Sequence, residues 1–178
     1  MCDNFDKIAI LFLVCKRMNP LCKEYGFPHK GWELVDVIDL GEYCDSVDEI
    51  EYENCEFCGH EQIRYVHIIK HPEYNRYVRV GCDCAVQLTA DYVNPKARES
   101  FLRRKTARRR NFMKQEWKMS SKGNYILKYK GKRVTAITRS FGWGVVFDGK
   151  WVWNFRGKSI PDFDTARLAA FELFDKKG

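Results

Sequence analysis

An α+β fold is predicted for this chain by three observations. Two close cysteine pairs, Cys55/Cys58 and Cys82/Cys84, bracket a β-rich stretch. A densely basic helical segment follows over 96–118. Short strand-like runs then fill 124–156, ahead of one closing amphipathic helix.

The 178 residues suffice for one ordinary domain or two small ones. A composition that is 45% hydrophobic and 15% aromatic supports a packed core and excludes a disordered chain. The apolar run Ile8–Val14 follows Asp3 and Asp6, which is the wrong charge for a signal peptide. No apolar run reaches the roughly 18 residues of a membrane span. These features predict a cytoplasmic protein with no membrane partner, in which paired cysteines hold metal rather than each other.

Charge is unevenly spread. Residues 1–54 carry five basic and twelve acidic side chains, net −7, and residues 55–95 come to −1. Residues 96–118 reach +8 and residues 119–178 add +7. A polyanion is drawn to the second half, while the acidic first part is repelled or folds back over the basic surface as an internal mimic.

Taken in order, Phe5–Met18 is apolar and fits a helix or a buried strand equally. Asn19-Pro20 and Gly26-Phe27-Pro28 are loops, and Trp32–Leu40 alternates as a strand. The acidic stretch Asp45–Glu53 reads as a linker. Cys55–Gly59 forms a knuckle, Ile63–Lys70 and Tyr77–Gly81 form a hairpin, and His71–Arg76 is its turn. Cys82 opens a helix that runs through Leu88. Asn94-Pro95 interrupts it, because a residue before proline is biased away from helix, and a second helix runs from Lys96 to about Lys118. Strands are expected over Asn124–Lys130, Arg133–Arg139, Trp143–Asp148 and Lys150–Arg156, with Lys130-Gly131 and Asp148-Gly149 as hairpin turns. Asp164 or Asp162 caps the last helix. The expected domains are an acidic segment 1–54, a zinc module with basic helix 55–118, and a sheet-and-helix domain 121–178.

Cys55, Cys58, Cys82 and Cys84 are candidate ligands of one structural zinc, a site closed to substrate because protein fills all four positions. His60 lies beside the knuckle, able to replace a cysteine or to support a sulfur through a hydrogen bond. Cys2, Cys15, Cys22 and Cys44 show no ligand spacing. In the basic helix, Arg103, Arg104, Lys105, Arg108, Arg109, Arg110 and Lys114 repel one another unless a phosphate backbone relieves them. Trp143, Val145 and Phe147 share one face of their strand, and Trp151, Trp153 and Phe155 share one face of the next. Both sets suit core packing, and a platform for stacking bases is the alternative.

The knuckle, hairpin and ligand-bearing helix resemble a treble-clef zinc finger. The helix carries Cys-x-Cys where that family usually has Cys-x-x-Cys, which leaves the fourth ligand open. Residues 55 to about 125 also resemble small uncharacterised zinc-finger proteins of bacterial plasmids and phages, which implies a mobile-element origin. The string Val66-His67-Ile68-Ile69-Lys70-His71-Pro72, with Asn75 downstream, resembles the HNH endonuclease layout. That resemblance implies His67 as general base and Asp83 as ligand of a catalytic divalent metal. Val66 stands where the family has an acidic residue, and the family's glycine pair and last histidine are missing. The segment Phe163–Phe171, after a tryptophan-bearing strand pair, resembles the APETALA2-type DNA-binding domain. This implies a three-stranded sheet on one helix, with Arg133, Arg139, Trp143, Trp151 and Arg156 toward DNA.

The function expected from the sequence is therefore zinc-stabilised, non-catalytic binding of DNA or RNA, nucleoid-associated if the target is DNA. An HNH-type nuclease is the alternative, and an adaptor or inhibitor of a host protein complex is a third class.

Overall fold

Residues 20–42, 44 and 48–176 are described by a computed structural model. Its contacts divide the chain into two units, Met1–Leu102 and Arg103–Gly178. The chain is a mixed α+β protein with antiparallel sheets. The apolar segment Phe5–Met18, Cys2 and Cys15 lie outside the described residues.

In the first unit, β1 (Glu33–Asp39), β2 (Tyr65–His71) and β3 (Tyr74–Val80) pair antiparallel in that order. Val37 lies opposite His67 on one edge of β2, and Val80 lies opposite His67 on the other. β2 thus has its backbone groups met on both edges, and Val66, His67 and Ile69 are fully buried. Helix α1 (Cys82–Thr89) adds Ala85 and Leu88 to a core of Leu21, Phe27, Trp32, Phe57, Val66, Ile69, Val78 and Val80. Phe27 and Trp32 stack within it at 5.1 Å.

Two ion pairs tie the acidic part of this unit to its sheet. Arg64 grips the buried Asp39 through Nε and Nη2, at 2.7 and 3.0 Å. Arg79 grips Glu53 in the same way, at 2.7 Å on each side. The strand expected over Trp32–Leu40 is β1, and it pairs with the free edge of the expected hairpin, at β2.

Helix α2 spans Asn94–Met113, and the division between units falls inside it rather than after it. Asp91 Oδ1 accepts the amides of Val93 and Asn94 at 2.9 Å, so the helix starts before Pro95. Proline costs nothing in a first turn, where its missing N–H has no intrahelical role. The expected helical end at Lys118 is replaced by a strand, β4 (Lys118–Met119), which pairs with β5.

In the second unit, β4, β5 (Tyr125–Tyr129), β6 (Lys132–Arg139), β7 (Gly142–Phe147) and β8 (Lys150–Val152) form one five-stranded meander. Lys130-Gly131 has φ of 48° and 74°, and Asp148-Gly149 has 52° and 73°. Those are the paired positive values of type I′ hairpins. The expected strand over Lys150–Arg156 breaks at Trp153. β9 (Asn154–Phe155) and β10 (Lys158–Ser159) instead form a separate hairpin about Arg156-Gly157. Helix α3 (Phe163–Asp175) starts at Asp162, whose carboxylate accepts the Thr165 amide at 2.7 Å. Its Ala166, Ala169, Ala170 and Phe171 pack on Leu127, Val134, Ala136, Val145 and Phe147, with Phe112 of α2 in the same core. Among the described residues, no helix is long and apolar enough to cross a membrane.

Candidate metal centre and sheet surface

The knuckle is wound by its own backbone. The Cys55 amide donates to the His60 carbonyl and the Gly59 amide to the Cys55 carbonyl, both at 2.8 Å. Gly59 stands at φ +76°, in the region that favours glycine. Leu21 and Cys22 brace the loop from outside, donating to Glu56 and Phe57 at 2.9 Å. Opposite it, α1 presents Cys84. The sulfurs of Cys55, Cys58 and Cys84 lie within 4.8 Å of one another.

The electrostatics of the trio suit a thiophilic cation. The Gly81 amide donates to Cys55 Sγ at 3.4 Å. A hydrogen bond from Cys84, aided by the Cys58 and Gly81 amides, draws Cys55 down to about 5 against the opposing effect of burial. Cys84 is pushed up, first by that same bond and then by burial. Cysteine sulfurs bind metal as thiolates, so a group that favours the ionised form at Cys55 suits a thiophilic cation. Cys55 is buried, Cys84 partly so, and Cys58 faces solvent.

Cys82 does not join this group. Gly81 is the N-cap of α1, so Cys82 and Cys84 are the first and third helical residues. At about 100° per residue they project roughly 200° apart. Cys82 Sγ gathers instead with His67 and Glu99, the three ligand atoms lying within 4.8 Å of one another. Burial, and after it the Glu99 carboxylate, pushes the Cys82 thiol up to about 11. Asp83 is exposed and belongs to neither group. His67 is fully buried, with Nδ1 3.3 Å from the Tyr65 carbonyl and Nε2 3.2 Å from that of Pro95. A general base must reach the proton it takes, and this ring is closed to any polymeric substrate. The His60 ring is exposed, and it is the His60 backbone carbonyl that supports the knuckle.

Much of the basic helix is engaged within the second unit. Lys105 pairs with Glu172 at 3.0 Å, and Arg108 grips Asp175 at 2.6 and 3.1 Å. Arg109 is buried, three residues before the core residue Phe112. Arg103, Arg104, Arg110 and Lys114 are exposed.

Trp151 and Trp153 fall on the sheet face opposite Trp143, Val145 and Phe147, while Phe155 packs against the core. Trp143, Val145 and Phe147 face α3, and Trp143 packs 5.3 Å from Phe163 and 5.8 Å from Tyr125. On β8 the register pairs Trp151 with Val146, which points the other way. There Trp151 stacks on Trp153 at 5.7 Å and 20°, and Phe141 lies 5.3 Å from Trp153. Trp151 is 54% exposed and Phe141 70%. Trp153 lies over Gly144, where a Cβ would come within 2.4 Å of the indole.

The cross-strand pairs Lys128–Arg133, Ile126–Thr135 and Thr135–Val146 put both basic side chains on this outer face. Arg139 follows Arg133 on it by the two-residue period. A groove of about 560 Å³ runs past Arg133, Thr135 and Val146 to Gly149. Arg156 sits in the β9–β10 turn, 5.6 Å over the Phe155 ring. Sequence reasoning missed Phe141, Lys128 and Glu99. The hairpin register could have found Lys128, whereas nothing local marks Glu99 as a neighbour of His67.

The chain matches no protein-family model, no curated protein and no solved structure.

Proposed function

We propose that this is a zinc-stabilised, non-catalytic protein that binds single-stranded DNA or RNA on the outer face of its five-stranded sheet. The observation that carries this reading is the Trp151–Trp153 stack, solvent-facing and flanked by Phe141, on the same sheet face as Lys128, Arg133 and Arg139. Exposed indoles offer π-faces to unpaired bases, and cations beside them track phosphate. That combination is the sequence-tolerant mode of single-strand binding. A contiguous aromatic patch on a surface, unlike scattered apolar side chains, marks an interaction site.

Zinc is the ion that best suits three thiolates on a knuckle and a helix, in the manner of a treble clef. Its role would be to hold the first unit rigid. A nuclease reading finds less support, since His67 is sealed in the core and Asp83 stands apart from it.

The test is a fluorescence titration of the full chain with short single-stranded oligonucleotides at low salt. Stacking should quench tryptophan emission, and affinity should fall as salt rises. Trp151→Ala should weaken binding by about tenfold, within the roughly 1–3 kcal/mol that one stacked base contributes. Unchanged affinity in a folded Trp151→Ala variant would reject the sheet face as the binding surface.

A further inference from the structure

We propose a second metal site in the first unit, in which His67 Nε2, Cys82 Sγ and a Glu99 carboxylate oxygen hold one divalent ion of the zinc class. The three ligand atoms come from β2, α1 and α2 and lie within 4.8 Å of one another, as the three sulfurs of the knuckle site do. The imidazole points to a cation independently of that clustering. Both its nitrogens face carbonyl oxygens, Nδ1 that of Tyr65 at 3.3 Å and Nε2 that of Pro95 at 3.2 Å. A neutral imidazole has only one N–H, so one nitrogen lone pair is aimed at an oxygen lone pair inside a fully buried pocket.

A cation at Nε2 removes the conflict. With the proton on Nδ1 donated to Tyr65, Nε2 is bare and directed at the metal. This is the usual way a ligating histidine is oriented, by a backbone carbonyl behind the ring. Glu99 Oε2 already stands 3.8 Å from Nε2. The Pro95 carbonyl is the nearest candidate for a fourth donor. A nitrogen, sulfur and oxygen donor set around one ion suits zinc or cobalt and disfavours magnesium or calcium, which take oxygen. Binding displaces the Cys82 thiol proton to solvent and leaves a thiolate on the ion. The ion would pin the first turns of α2, through Pro95 and Glu99, to the central strand.

The competing occupant is a proton, which would make His67 an imidazolium between the two carbonyls and Glu99. Elemental analysis of the full chain, purified without chelator, separates the two. Two metal sites predict about two zinc ions per chain, against about one for a single site. Cys82→Ser and Glu99→Gln should each remove one ion and leave the other, while Cys58→Ser should remove the other. Should Cys82→Ser fail to fold, Glu99→Gln with an unchanged circular dichroism spectrum decides. Nitrogen-15 spectra of the histidines should show His67 with a proton on Nδ1 only and a metal-shifted Nε2. No more than one ion per chain, two protons on the His67 ring, or loss of the same ion in Cys82→Ser and Cys58→Ser would overturn the proposal.

Discussion

Cys82 and Cys84 share the first turn of α1, yet Cys84 closes on Cys55 and Cys58 while Cys82 closes on His67 and Glu99. One intervening residue on a helix turns a side chain about 200°, which separates the two sulfurs in this structure. Cys-x-Cys at this place divides the thiols between two clusters, and His67 of the second is buried on the central strand.

Metal removal should act on the first unit. The knuckle and α1 meet through Cys55, Cys58 and Cys84, and sites of this kind supply folding free energy directly. Cys58→Ser, or a strong chelator, is expected to lower the thermal midpoint by more than about 5 °C, a shift that about 1 kcal/mol produces in a domain this small. Differential scanning calorimetry with and without added zinc reads this.

The Asp39–Arg64 pair should matter more than the other ion pairs. The Asp39 side chain is 1% exposed and Arg64 18%, so removing the carboxylate leaves a half-buried guanidinium without that partner. Asp39→Ala should cost about 3 kcal/mol in urea unfolding. Glu33→Ala, which breaks the open pair with Lys70, should leave the urea midpoint nearly unchanged.

Hairpin turns, the α3 cap and the knuckle were legible in the sequence, because each is set by two to five adjacent residues. Core packing was expected for both tryptophan sets, and the structure corrects this for Trp151 and Trp153, which share the outer face with Arg133 and Arg139. A two-residue loop at Asp148-Gly149 puts Phe147 opposite Lys150, and therefore Trp151 opposite Val146. What was not legible depends on distance. β1 reaches β2 across an acidic stretch with no strand pattern, and Glu99 reaches His67 only through the start of α2 at Asn94. The start of α1 at Cys82 was legible, but the four-cysteine spacing hid that the first and third residues of a helix face apart.

Asp162 offers a pH-dependent check on the second unit. The Thr165 amide holds its carboxylate below the usual range. A depressed carboxylate stabilises the fold above its unfolded value, near about pH 4, and that contribution is lost as pH falls through the folded value. Asp162→Ala should cost about 1 kcal/mol at neutral pH. The gap from wild type should narrow as the solution is taken below about pH 4, as followed by urea midpoints.

Arg108 and Arg133 should behave differently although both are arginines in basic regions. Arg108 is committed to Asp175, so Arg108→Ala should reduce stability slightly and leave oligonucleotide affinity within about twofold, as an internal pair of this kind carries under about 1 kcal/mol. Arg133 is exposed on the outer sheet face. Arg133→Ala should weaken binding across all sequences and lower the salt slope by about 1.

Gly144→Ala should disturb the platform without touching its aromatic residues. The new Cβ would stand 2.4 Å from Trp153, so the indole must leave and the stack with Trp151 must open. Near-ultraviolet circular dichroism should lose the signal of the coupled indoles, and single-strand affinity should fall with it.

Photo-crosslinking addresses binding on the sheet face most directly. A short single-stranded oligonucleotide carrying a photoreactive base is irradiated with the full chain, and the attached peptides are sequenced. Crosslinks should concentrate on Phe141, Trp151 and Trp153. Crosslinks confined to 94–113, or none above background at low salt, would contradict binding through the sheet.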